Sequence, residues 1–153
     1  MNINEQLSFN EMASERLYET LGLVRDVFME YEAPDYTEEG IEEFLRFLDP
    51  VEITDMIEED KMRIWVCDCG GEVVGMLAAR KDHINLLFVG GEHHRKGIAR
   101  QLLEIMIDFY DPAEITVNSS PFAIEAYRRL GFIETGSEKQ ENGIRFTPMK
   151  WEK

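Results

Sequence analysis

Residues 84–110 read INLLFVGGEHHRKGIARQLLEIMIDFY, and no other stretch restricts the fold as much. Its first part, INLLFV, is apolar at all but one position. A strand of that kind needs cover on both faces, so it belongs in the middle of a sheet. Gly90 and Gly91 end it. Ile98, Leu102, Leu103, Ile105, Met106 and Phe109 then recur at helical spacing and set a helix from about Gly97 to Tyr110, closed by Asp111 and Pro112. A buried strand that turns through glycines into an amphipathic helix is a building unit of α/β proteins.

The joint between this strand and this helix carries charge of the rarer sign. The chain has 31 acidic and 16 basic residues, a formal net charge of −15, yet Arg95, Lys96 and Arg100 sit together here. The first amides of a helix lack internal partners, and the helix dipole places partial positive charge beside them. Glycines let the backbone close in on a ligand. The joint therefore suits a phosphate or pyrophosphate, with a solvated basic turn as the plain alternative. It is neither a Walker loop, since Gly97 is followed by Ile98, nor a Gly-x-Gly-x-x-Gly dinucleotide loop.

The acidic balance argues against general binding to nucleic acid or to anionic membranes, because phosphates would be repelled. It favours solubility, or attraction of a cationic substrate such as an amine. No apolar run approaches the ~18 residues of a membrane span. The start, MNINEQLSFNEM, lacks the basic and apolar segments of a signal peptide. A cytoplasmic protein is expected. Cys67 and Cys69 stand two apart in a strand and face one side. They read as free thiols of a reducing compartment. The run Glu92, His93, His94 offers no fourth ligand at a usual spacing, and no metal is expected.

The 153 residues contain no repeat and no long linker, so a single domain over 1–153 is expected. INEQLSF reads as a short first strand. Leu17, Leu21, Val24 and Phe28 step by helical intervals and predict a helix over 13–31, broken near Pro34. Ile41, Phe44, Leu45 and Leu48 predict a shorter helix, stopped before Pro50. MRIWVCDC, GGE and VVGMLAARKD predict a hairpin. EITVNSS is a further strand. Pro121 opens a helix that carries Ile124, Tyr127 and Leu130 and ends at Gly131. The tail predicts two strands around Asn142-Gly143. Its last strand, with Phe146, Met149 and Trp151, is expected at a sheet edge, where two copies would pair as a homodimer. The fold class is α/β: a mixed sheet with helices on both faces.

Two stretches together, FVGGEHHRKGIARQLL and ITVNSSPFAIEAYRRLGF, resemble the GNAT superfamily of acetyl-CoA-dependent N-acetyltransferases. In that family's cofactor motif, Val-x-Pro-x-x-Gln/Arg-x-x-Gly-x-Gly/Ala, the residues Val89, Gly97, Ile98 and Ala99 fall in register. His94 stands at the Gln/Arg position and Gly91 at the Pro position. In the second motif Ala123, Tyr127, Gly131 and Phe132 match, while Ser120 replaces a frequent Asn and Asn118 lies two residues earlier. The order of elements agrees over nearly the whole chain and implies a GNAT-like, mostly antiparallel sheet.

The resemblance implies acetyl-CoA as acyl donor and an amine as acceptor. It implies that Leu87, Phe88 and Val89 present backbone groups to the thioester. His94, Arg95, Lys96, Gly97, Ile98 and Ala99 would hold the pyrophosphate, and Asn118 and Ser120 would lie beside the pantetheine arm. Tyr127 would face the cofactor sulfur. For the general base the candidates are His83 on the central strand and Glu30, Glu32 and Asp35 at the end of the first helix, with a water relay also open. The acceptor is expected to be a small molecule; a protein amine, or CoA binding without catalysis, are the competing readings.

Overall fold

The computed structural model describes residues 6–153. Eight strands form one sheet in the order β1-β2-β3-β4-β5-β8-β6, with β7 paired to β8 beside this path. The strands are β1 (Leu7–Glu11), β2 (Arg63–Cys69), β3 (Glu72–Arg80), β4 (His83–Val89), β5 (Glu114–Ser119), β6 (Ile133–Glu134), β7 (Lys139–Glu141) and β8 (Ile144–Glu152). All neighbours run antiparallel except β4 and β5. The expected mixed, mostly antiparallel sheet is present, and INLLFV lies at its centre. Part of the expected first strand, residues 3–5, falls outside the described residues.

Helices cover both faces. On one face α1 (Leu17–Val27), α2 (Glu38–Phe47) and α3 (Pro50–Glu58) pack on the sheet. Val24 and Phe28 are fully buried there against a cluster that includes Val66, Met76, Leu86 and Phe88. Burial of each such side chain contributes roughly 1.5–3 kcal/mol. On the other face α4 (Ile98–Tyr110) and α5 (Ile124–Arg129) bury Leu102, Met106, Tyr127 and Leu130 over Leu77, Ile84, Ile115 and Met149.

Three expectations need correction. The helix expected over 13–31 is α-helical only from Leu17 to Val27; a π turn follows over Phe28–Glu32 and a 3-10 turn over Ala33–Asp35. The Ala33 amide bonds back to the Phe28 carbonyl, five residues away. Pro34 explains the widening: it has no N–H for the preceding turn, and its ring crowds the carbonyl four residues back. Apolar spacing cannot register that change. Second, Pro50 starts α3 rather than merely ending α2. Asp49 caps the helix by accepting the Val51 amide at 2.9 Å, and Pro50 takes the first position, where no N–H is needed.

Third, β8 is not a free edge. It is flanked by β5 on one side and by β6 and β7 on the other, with Met149 buried. The edge on which a homodimer was expected is therefore covered within the chain. The β7–β8 turn has positive φ at both Asn142 and Gly143, as the Asn-Gly pair predicts. It lies hard against α2, whose Gly40 would place a Cβ only 2.2 Å from the Gly143 carbonyl oxygen.

Candidate functional site

The site begins where β4 and β5 part. These parallel strands pair only at His83 with Thr116 and Ile84 with Val117. The next residue, Asn85, is passed over in the β3–β4 register, which steps from Ala79–Ile84 to Ala78–Leu86. Such a bulge turns the following side chains to the opposite face. Ile84 packs with α4, whereas Leu86 and Phe88 pack with α1. The Asn85 Oδ1 is buried without a hydrogen-bond partner. Past the bulge, the Gly90 amide is donated to Val74 of β3 at 2.8 Å. By strand alternation the amides of Leu87 and Val89 point the other way, to the gap that β5 leaves.

Two clefts open from this gap. The larger, of about 810 Å³, is lined by Leu87, Phe88, Val89, His94, Arg95, Gly97, Ile98, Ala99 and Arg100, with α5 opposite. The smaller, of about 420 Å³, is lined by His83, Asn85, Asn118, Ser120 and aromatic residues of α2 and β8. Glu32, Leu87, Phe88, Ala123 and Tyr127 line both, so they mark the junction.

The larger cleft ends at the start of α4. Gly97 is in the left-handed region, at φ 79°, which a glycine adopts without the clash a side chain meets. No side chain caps the helix, and its first internal bond runs from Gln101 to Gly97. The amides of Ile98, Ala99 and Arg100 therefore have no acceptor within the helix. His94 Nε2 donates to the Val89 carbonyl at 2.7 Å and ties the loop to the end of β4. Its ring lies 5.2 Å from that of Tyr31, which stacks on Phe122 at 5.1 Å. Arg95 is exposed at the rim; Lys96 is exposed and does not line either cleft. Arg100 reaches across to the Arg129 carbonyl at 2.6 Å, whereas Arg128 pairs with Glu125 and Glu134. An anion the width of a pyrophosphate has free amides, a positive helix end and Arg95 to meet it. The cleft thus fits the extended, diphosphate-bearing cofactor that the sequence resemblance implies.

At the junction, burial lifts the Glu32 carboxyl to about 7; a hydrogen bond from Ser120 opposes the rise, and the charge of Asp35 adds to it. The π turn buries Glu32, whereas Glu30 two residues before is exposed. Burial, and then the charge of Glu32, holds the Tyr127 phenol protonated well above its ordinary range. Tyr36 is raised likewise by burial, then by Glu32 and Asp35. His83 is shifted down, by burial first and then by Arg80, and its Nδ1 meets Thr116 Oγ1 at 2.8 Å. It lines only the smaller cleft. Cys67 and Cys69 are free thiols away from both clefts, with Cys67 pushed up to about 11 by burial. Tyr31, Tyr36 and Phe122 carry no signal in the sequence, whereas Asn85 stands beside the His83 candidate on β4 and cannot itself take a proton at neutral pH. None belongs to a motif, and each reaches the site only through the bulge, the π turn or the loop after β5.

Known proteins share this fold. A family model described as an acetyltransferase (GNAT) domain matches residues 32–153. An uncharacterised N-acetyltransferase of Escherichia coli, YafP, is 32% identical over 88 residues, which are 57% of this chain and 57% of that protein. The match thus spans little more than half of that relative. A solved GCN5-related N-acetyltransferase from Rhodopseudomonas palustris superposes with a TM-score of 0.82 at 17% identity, covering 99% of both chains. The PaiA N-acetyltransferase from Thermoplasma acidophilum, solved with coenzyme A, superposes with a TM-score of 0.79 at 16% identity, over 97% of this chain and 99% of that one. No helix among the described residues is long and apolar enough to cross a membrane. With the family model matching residues 32–153, the chain belongs to the GNAT acetyltransferase family.

Proposed function

We propose that the protein moves the acetyl group of acetyl-CoA to a primary amine of a small molecule, by direct attack while both are bound. The single observation that carries this reading is the junction of the two clefts, where Glu32 and Tyr127 sit with pKa values pushed in useful directions. Acetyl-CoA supplies an activated thioester. A carboxylate titrating near neutrality can take the proton of an arriving ammonium, which must become neutral to attack. The amides of Leu87 and Val89 face the developing charge on the thioester oxygen. Tyr127, held protonated, donates a hydrogen bond to the departing sulfur. His83 is the weaker choice of base, because it lines one cleft only and its Nδ1 is engaged by Thr116.

In this reading the loop from His94 to Ala99 holds the pyrophosphate, and Ser120 keeps Glu32 in place. The smaller cleft, of about 420 Å³ and lined by α2 and the β7–β8 turn, has room for a small acceptor, which favours a small molecule over a peptide. Two free thiols suit a reducing compartment, and we place the protein in the cytoplasm. The test is a panel of amines offered with acetyl-CoA, read by release of free thiol. Thiol release that depends on both amine and protein supports the reading; thiol release that ignores the amine counts against it.

A further inference from the structure

The smaller cleft holds more negative charge than one reacting amine needs. Glu43 of α2 and Glu141 of β7 line it together with Glu32, and no Lys or Arg does. The same cleft carries apolar and aromatic side chains, Phe44, Phe47, Ile144 and Phe146, among its polar ones. The nitrogen that attacks must give up its proton and reach the junction, so its charge does not occupy Glu43 or Glu141. A group that stays charged is what those two carboxylates suit. Glu43 does pair with Arg46, at 2.5 Å, but that guanidinium is 68% exposed and lies outside the cleft. An exposed pair of this kind contributes little and yields readily.

We infer that the acceptor is a dicationic amine: one amino group reacts between Glu32 and Tyr127, an apolar stem packs on the apolar and aromatic side chains, and a second ammonium is held by Glu43 and Glu141. The inference rests on the acetyl-transfer reading of the same site and adds the class of acceptor. The aromatic rings contribute as well, since a cation over an aromatic face is attracted by its electron density. An amine ending in a carboxylate would meet repulsion at both acids.

The test uses straight-chain diamines from diaminopropane to diaminohexane, each beside the monoamine of equal carbon number and the matching amino acid. Calorimetry on the CoA-loaded protein reads recognition without turnover, and thiol release from acetyl-CoA reads transfer. At least one diamine should bind about tenfold tighter than its monoamine, with the amino acid weakest. The Glu43→Gln/Glu141→Gln double variant should lose that preference while keeping its affinity for the monoamine and for acetyl-CoA. Equal binding of diamine and monoamine at every length overturns the inference, as does a preference that survives in the double variant. Preferential binding without transfer would leave the recognition standing and refute the catalytic reading instead.

Discussion

Tyr127 and Glu32 oppose one another electrostatically at the meeting point of the two clefts: burial, and then the Glu32 carboxylate, keeps the Tyr127 phenol protonated. Burial also brings Glu32 to about 7. One group can therefore accept a proton near neutral pH while its neighbour keeps one, the separation that acid and base roles require.

Tyr127→Phe keeps the ring and its edge-on contact with Phe132, whose centroid lies 5.3 Å away. A hydrogen bond to the departing sulfur strengthens only as the C–S bond breaks. The variant should therefore lose about 10²-fold in kcat, with the acetyl-CoA Kd within about twofold. Unchanged kcat under conditions where chemistry limits the rate would make Tyr127 a packing residue.

Glu32 should also cost stability as pH rises. Its carboxyl titrates at about 7 when folded, against a reference value of 4.5. Between those values the folded protein holds a proton that the unfolded chain has lost. The stability is thus fully present below the unfolded value and declines as pH rises through the folded one. Glu32→Gln mimics the protonated form. It should match the native chain near pH 4.5 and exceed it by about 2–3 kcal/mol at pH 8. Denaturant unfolding at both pH values measures this, and a pH-independent difference would mean that Glu32 is well solvated.

Much of this molecule can be read from its residues, and the failures have physical causes. The Gly97 turn, the apolar β4 and the Tyr127-to-Phe132 spacing are local patterns, so they point to the cofactor side directly. α3 escapes notice because Pro50 carries two meanings, and only the Asp49 cap distinguishes them. Glu32 is one acid among many until the π turn buries it and Ser120, far along the chain, reaches it. The environment that tunes it is tertiary. The Asn142-Gly143 turn announces β7, but the covered edge of β8 also depends on β6, a two-residue strand too short for any pattern to show.

Gly40→Ala tests the contact between α2 and the β7–β8 turn, which both line the smaller cleft. The added Cβ would lie 2.2 Å from the Gly143 oxygen and 2.5 Å from its carbon, both backbone atoms that cannot rotate away. A loss of roughly 1–3 kcal/mol in unfolding free energy is expected, with a raised KM for the amine and an unchanged acetyl-CoA Kd. Gly22→Ala in α1 is the control, since its Cβ meets nothing within 4 Å. Equal stability of the two variants would show that the turn moves freely off α2.

Gly97→Glu tests the start of α4. It places a carboxylate and a strained backbone where free amides await an anion. Acetyl-CoA affinity should fall by roughly 2–4 kcal/mol, measured by calorimetry on protein that circular dichroism shows to be folded. Unchanged affinity would remove the helix end from the cofactor site.

The most direct test of the mechanism is the pH dependence of kcat/KM for the amine in the native chain and in Glu32→Gln. The ratio of the two profiles cancels the ionisation of the amine, which both share. Expected is a ratio that climbs through pH of about 7 to a plateau of roughly 10²–10³, with acetyl-CoA Kd values that agree within about twofold. A ratio near one across the whole range, with no step, would show that Glu32 is not the base and would contradict the mechanism at its centre.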